Sequence, residues 1–276
     1  MDELHFPGVK VIMNKVYCVA GITIFFKCDD ILPAKCWKKF LISHSSPNAD
    51  MEITLMPRIR KTFYNIEKYV VPDDAGGIIF RTEADSMMIS KDWGKSVIFP
   101  LEDMCNLQAF LIMNFHTHAL YKKMIQIHGA IVRYSGRGIM FLGPSGIGKT
   151  TQAELWNRYR DALIINGDIV FVQETEDCFL GWGTPWHGSS PYCENTSVPI
   201  HAMIVLKQSP DNSIRELTGF EKVMTVSNSV FYPQWLENGM ELCLETLDHL
   251  LTKVPVYELS CRPDEEAVTL TEQFIF

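Results

Sequence analysis

Along the first hundred residues, apolar and polar positions change over in short runs, the pattern of β-strands and turns rather than of helices. Residues 16–27 read as one apolar strand, and Glu52-Ile53-Thr54-Leu55-Met56 alternates as a half-buried strand does. After the turn signal Asp73-Asp74-Ala75-Gly76-Gly77, the runs 78–82, 86–90 and 96–99 predict a meander of antiparallel strands. Residues 102–123 break the pattern. They lack Gly and Pro, and Leu107, Phe110, Leu111, Ile112, Met113 and Phe115 make the middle apolar on nearly every face, which predicts a helix buried on several sides. Strand patterns follow at 125–132 and 139–142, joined by the turn Ser135-Gly136-Arg137-Gly138. A helix is predicted from Lys149 to Arg160 and a strand over 162–165 that stops at Asn166-Gly167-Asp168. Further strands at 170–173 and 202–206 and a helix around 239–252 complete a mixed α/β (α+β) pattern without internal repeats. Its two parts are a smaller β-rich module over 1–102 and a larger domain over 103–276 that begins with the central helix.

Composition narrows the function without choosing it. A hydrophobic fraction of 47% with 21% charged residues is that of an ordinary globular chain. The formal charge of -8 argues against nucleic acid or an anionic membrane as a partner. The start, Met1-Asp2-Glu3-Leu4, is acidic and leads into no apolar signal region, so a cytoplasmic protein is expected. The most apolar stretch, 107–121, is interrupted by Asn114, His116 and His118 and makes a poor membrane span. The eight cysteines include no CxxC pair, and Cys18, Cys28 and Cys36 are too widely spaced for a zinc knuckle.

The chemistry concentrates in Gly143-Pro144-Ser145-Gly146-Ile147-Gly148-Lys149-Thr150, a full G-x-x-x-x-G-K-[ST] pattern with Thr151 next in line. Glycines let backbone N–H groups approach phosphate oxygens, and the helix starting at Lys149 turns its positive dipole end toward the same anion. Lys149 supplies a mobile charge for the β- and γ-phosphates, and the Thr150 hydroxyl is a Mg²⁺ ligand candidate. The strand before and the helix after are the context that this loop requires, so ATP or another NTP with Mg²⁺ is the expected ligand. Asp168, ending the next strand, can ligate Mg²⁺ or take a proton from an attacking hydroxyl. His128 lies on the strand that pairs with the one entering the loop. Taken singly, His128 reads equally as a structural histidine and Asp168 also as a turn former.

The stretch HGAIVRYSGRGIMFLGPSGIGKTTQAELW, followed by LIINGDIVFV, resembles the superfamily of HPr serine kinase and ATP-type phosphoenolpyruvate carboxykinase. GWGTPWHGSS (181–190) is similar to a motif of HPr-kinase-like proteins encoded beside peptide-modification genes, and VPVYELSCRPDEEAV (254–268) is similar to their C-terminal segment. The resemblance covers roughly residues 125–270 and is specific over 125–172. It implies a P-loop kinase-like C-terminal domain in which Lys149 is the phosphate-loop lysine, Thr150 a metal ligand and Asp168 the catalytic carboxylate and second metal ligand. His128 is then the histidine near the transferred phosphate. The implied activity is ATP- and Mg²⁺-dependent transfer to a hydroxyl, most simply a serine of a peptide or protein, with a small hydroxyl metabolite as the other acceptor; a homo-oligomer is compatible with it.

Three departures accompany the resemblance. Gly167 stands where HPr kinases usually carry a first aspartate, Thr151 where an acidic residue is common, and Ser189 where many relatives have lysine. Gly167 therefore also admits a nucleotide-binding regulatory protein with weak catalysis. A simple NTPase is a further alternative, and no guanine-reading N/T-K-x-D motif is present. The aromatic loop Trp182, Pro185, Trp186, His187 could stack on a base or cover the acceptor. Arg215 and Arg262 are candidates for neutralising phosphate, whereas His116 and His118, two apart on a helix, cannot form a metal pair.

Overall fold

The first apolar run reverses on itself: instead of one strand, it forms the hairpin β1 (Met13–Val19) and β2 (Ile22–Cys28). The reversal is made by Ala20 (φ 47°) and Gly21 (φ 73°), a tight turn inside an apolar stretch that offers no polar punctuation. The computed structural model describes residues 13–28, 34–43, 48–56, 77–82, 85–99 and 104–276. Met1–Leu4 and the turn signal at 73–76 lie outside them. The chain forms two compact units, Met1–Phe115 and His116–Phe276, so the division falls inside the long helix.

In the first unit, a seven-stranded sheet has the order β3-β1-β2-β4-β7-β6-β5, where β3 is Leu41–Ser43, β4 Met51–Leu55, β5 Gly77–Arg81, β6 Ser86–Ser90 and β7 Lys95–Phe99. The last three strands are the expected antiparallel meander. β4, in contrast, runs parallel to both its neighbours. Trp37 of α1 (Ala34–Lys38) packs edge-on against Tyr17 and Phe26. On α2 (Met104–Tyr121), the buried Asn114 donates to Ser96 Oγ at 2.9 Å.

The second unit is built on β8 (Met124–Tyr134), which changes partners midway. Its first half pairs with β11 (Ile169–Glu174) and with β15 (Val230–Phe231). Its second half pairs with β9 (Arg137–Leu142) and β10 (Leu163–Asn166). The switch falls at His128-Gly129. Gly129 is tightly enclosed: a Cβ there would lie 3.0 Å from Leu142, Met140 and the Phe141 carbonyl. β12 (Phe179–Trp182) joins β11 to β13 (Ser197–Gln208), and β13 runs parallel to both β9 and β16 (Val256–Cys261), with β14 (Ser213–Glu216) at the edge.

These strands read as nearly continuous apolar runs because both sheet faces are covered. Ile131, Met140, Leu142 and Met203 share one core with Val226 of α4 (Gly219–Ser227) and with Cys243, Leu247 and Leu250 of α5 (Gly239–Lys253). The alternate residues Val132, Ile139, Phe141 and Ile204 share the other with Trp156 of α3 (Lys149–Arg160) and Val268 of α6 (Glu265–Ile275). The acidic run starts α6 as its sequence suggests, with the Asp264 carboxylate accepting from Ala267 N at 3.0 Å. The β8–β9 turn uses Ser135 (φ 48°) and Gly136 (φ 75°), both left-handed, as a two-residue hairpin requires. Gly136→Ala should therefore cost about 1–2 kcal/mol, read as a lower urea midpoint at unchanged slope. Among the described residues, no helix is long and apolar enough to cross a membrane.

Candidate active site

Three parallel strands, β9, β13 and β16, end on the same side, the position where open α/β sheets bind ligands. β9 runs straight into the glycine loop. Gly143 (φ 133°), Gly146 (φ 78°) and Gly148 (φ 114°) all occupy the left-handed region, which explains three glycines in six residues. Pro144, Ser145 and Gly146 form the exposed crest, and α3 begins directly at Lys149. The Lys149 ammonium folds back over the loop, donating to the carbonyls of Gly143 (3.0 Å) and Pro144 (3.1 Å). Burial pulls its pKa down, opposed by the charge of Asp168. Next on the helix, Thr150 Oγ1 donates to the Gly167 carbonyl at 3.2 Å.

Asp168 arrives from the β10–β11 turn, and the partner switch in β8 brings His128 to it. His128 Nε2 lies 3.1 Å from Asp168 Oδ1, and Gly129 N donates to the Asp168 carbonyl at 2.9 Å. His128, Lys149, Thr150 and Asp168 thus gather at the foot of the phosphate loop, although 40 residues of chain separate the first from the last.

The turn holding Asp168 is fastened by Asn166, whose sequence context suggests no more than a turn former. Asn166 is fully buried. Its Oδ1 accepts from the N–H groups of Asp168 (2.9 Å) and Ile169 (3.0 Å). Its Nδ2 donates to the carbonyls of Thr184 and Trp186, both at 3.1 Å. One side chain thereby ties the carboxylate turn to the 184–190 loop. Asn166→Ala leaves several buried groups unpaired and should cost about 1–3 kcal/mol, measured as a fall in the thermal midpoint.

The two tryptophans of that loop are engaged within the protein. Trp186 is 5% exposed and packs on Phe171, and Trp182 Nε1 donates to Gln173 Oε1 at 2.9 Å. The part of the loop that reaches the site is its glycine-serine end. At Gly188 (φ 56°), a Cβ would stand 2.8 Å from the Asp168 carboxyl carbon.

Beside the phosphate loop opens a cleft of about 540 Å³, walled by Ile147, Thr151, Gln152, Leu206, Gln208, Pro210, Cys261, Arg262 and Pro263. Gln152 is buried, donates to Cys261 Sγ at 3.2 Å and leaves Oε1 without a partner among the described residues. Arg262 borders the cleft with its guanidinium engaged by Asp264, Glu266 and the Pro210 carbonyl. Arg215 is paired at the surface with Glu221 and Glu258. Neither arginine is therefore set aside for phosphate. His116 is buried between the edges of Phe171 and Trp235, and desolvation lowers its pKa to about 3.

The donor chemistry suits Mg²⁺ and a nucleotide. A hydroxyl (Thr150) and a carboxylate (Asp168) are hard oxygen ligands. The glycine loop is also open where a side chain would intrude, since a Cβ at Gly146 or Gly148 meets nothing within 4 Å.

The family model described as "SynChlorMet cassette protein ScmC" matches residues 101–264, more than half of the chain. The HPr kinase/phosphorylase of Mycoplasmopsis pulmonis (strain UAB CTIP) is 22% identical over 163 residues, 58% of this chain and 50% of that protein. The chain thus spans about half the length of the curated relative it matches. The solved Hpr(Ser) kinase/phosphatase of Coxiella burnetii is similar at a TM-score of 0.32 and 11% identity, covering 54% of this chain and 95% of that one. The resemblance to the HPr kinase superfamily is thereby found by comparison as well as by motif.

Proposed function

The chain belongs to the SynChlorMet cassette protein ScmC family, and we propose that it is an ATP- and Mg²⁺-dependent kinase of the HPr kinase-like kind. Its acceptor would be a hydroxyl, most simply a serine of a peptide or protein. The observation that carries this reading is the His128–Asp168 contact of 3.1 Å at the foot of a phosphate loop. Phosphate binding alone needs no such pair, whereas transfer to a hydroxyl needs a base beside the transferred group.

In this reading the backbone N–H groups of Ser145–Thr150 cradle the β- and γ-phosphates. Lys149 leaves the Gly143 and Pro144 carbonyls for the anionic oxygens as charge develops on them. Thr150 and Asp168 would hold Mg²⁺, which neutralises phosphate charge when bound. His128 orients the Asp168 carboxylate through Oδ1. As the acceptor oxygen bonds to the γ-phosphorus, its proton passes to Asp168, the β–γ bridging bond breaks, and ADP leaves. The adjoining cleft at Gln152 and Cys261 offers room for the nucleoside.

The reading is tested with γ-labelled ATP and Mg²⁺, offering serine-bearing peptides encoded in the same cassette and small hydroxyl compounds. Label on an acceptor supports the kinase. Tight ATP binding without label on any acceptor would favour the nucleotide-binding regulatory reading that Gly167 raises.

A further inference from the structure

Gly167 lacks a side chain for a reason that lies across the site. Its backbone is not in the left-handed region, so it could carry any residue. Space forbids it: a Cβ at Gly167 would fall 2.7 Å from Ser190 Cβ and collide with the Ser190 hydroxyl. The serine thus occupies the volume that a side chain at 167 would take.

Ser190 is 7% exposed. Its Oγ accepts one long hydrogen bond from Tyr192 N (3.3 Å) and donates to no acceptor among the described residues. A buried O–H with its proton unused is costly unless something else accepts it. The backbone that carries the hydroxyl is fastened on both sides. His187 Nδ1 contacts the Ser190 carbonyl, Ser190 N donates to His187 O at 3.0 Å, and Asn166 ties the start of the loop to the Asp168 turn. Tyr192 O–H donates to Glu154 Oε1 at 3.1 Å, one helical turn beyond Thr150. Ser190 therefore borders Gly167, whose carbonyl accepts from Thr150 and whose neighbour is Asp168.

We propose that Ser190 is a further residue of this site: its hydroxyl, seated against Gly167 between Thr150 and Asp168, donates to an oxygen of the metal–phosphate complex. The proposal rests on nucleotide binding at the phosphate loop. In this arrangement the bare Gly167 is what makes room for the Ser190 hydroxyl.

The test moves the hydroxyl across the gap. Wild type, Ser190→Ala, the double variant Gly167→Ser with Ser190→Gly, and the double variant Gly167→Ala with Ser190→Gly are compared. The readouts are Mg²⁺·ADP affinity by titration calorimetry and the thermal midpoint without nucleotide. Ser190→Ala should weaken Mg²⁺·ADP about tenfold. The hydroxyl-bearing double variant should recover to within about threefold, and the alanine-bearing one, matched in bulk but without the hydroxyl, should not. Comparing the two double variants separates the hydroxyl from simple packing even where both shift the midpoint. Wild-type affinity in Ser190→Ala, or equal affinity in the two double variants, overturns the proposal while leaving the kinase reading intact. Failure of the wild type to bind Mg²⁺·ADP overturns both.

Discussion

Asp168→Asn is expected to lower phosphoryl transfer by about 10²- to 10⁴-fold, the span over which a positioned general base contributes, while ATP affinity measured without Mg²⁺ stays within about threefold. The substitution keeps the shape and the hydrogen bonds that hold the turn, since Asn166 binds the backbone at 168 and 169 rather than the carboxylate. It removes only the negative charge and the ability to accept a proton. The check is the initial rate of label transfer to a peptide, set against ATP binding measured on the same preparation. A rate within a factor of three of wild type would remove Asp168 from the chemistry and leave His128 or an outside base as the candidate. Collapse of both Mg²⁺-dependent binding and rate would instead make Asp168 chiefly a metal ligand.

The phosphate loop is legible in the sequence because it is local. Strand, three left-handed glycines, lysine and helix start lie within a dozen consecutive residues, and each is required by backbone geometry rather than by distant packing. The Ser135-Gly136 hairpin was legible for the same reason. The reversal at Ala20-Gly21 is hidden in the sequence because the turn lies within an apolar run and is decided by strand pairing. The role of Asn166 is hidden for another physical reason: its Nδ2 partners, Thr184 and Trp186, are 18 and 20 residues away, and local sequence does not report a buried side chain's distant acceptors. The aromatic loop shows the same limit from the other side. Trp182 and Trp186 advertise stacking surface by composition, yet their environment commits them to Gln173 and Phe171. Gly167 reads as a deletion in one dimension and as a steric match to Ser190 in three.

Lys149→Met should separate stability from function by moving them in opposite directions. In the folded protein the ammonium is buried against two loop carbonyls, and its pKa is held below that of an ordinary lysine chiefly by desolvation. A lysine whose folded pKa is depressed penalises the folded state at neutral pH. The penalty is present below the folded pKa and lifts as pH rises through it toward the ordinary lysine value. Methionine has nearly the same length and no charge to desolvate, so the variant should match or exceed the wild-type thermal midpoint at pH 7, with the difference narrowing at high pH. Nucleotide affinity should fall about 10- to 150-fold, the equivalent of about 1.5–3 kcal/mol for hydrogen bonds to a charged group. The maximal rate should fall further, by about 10²- to 10³-fold, because the lysine meets more charge in the transition state than in bound ATP. Unfolding curves across pH and a full rate analysis of one purified variant read all three. A midpoint that drops with affinity would show that Lys149 braces the loop rather than waiting in it. In that case the two carbonyl contacts are structural, and the loop's phosphate affinity comes from its backbone N–H groups and the dipole of α3.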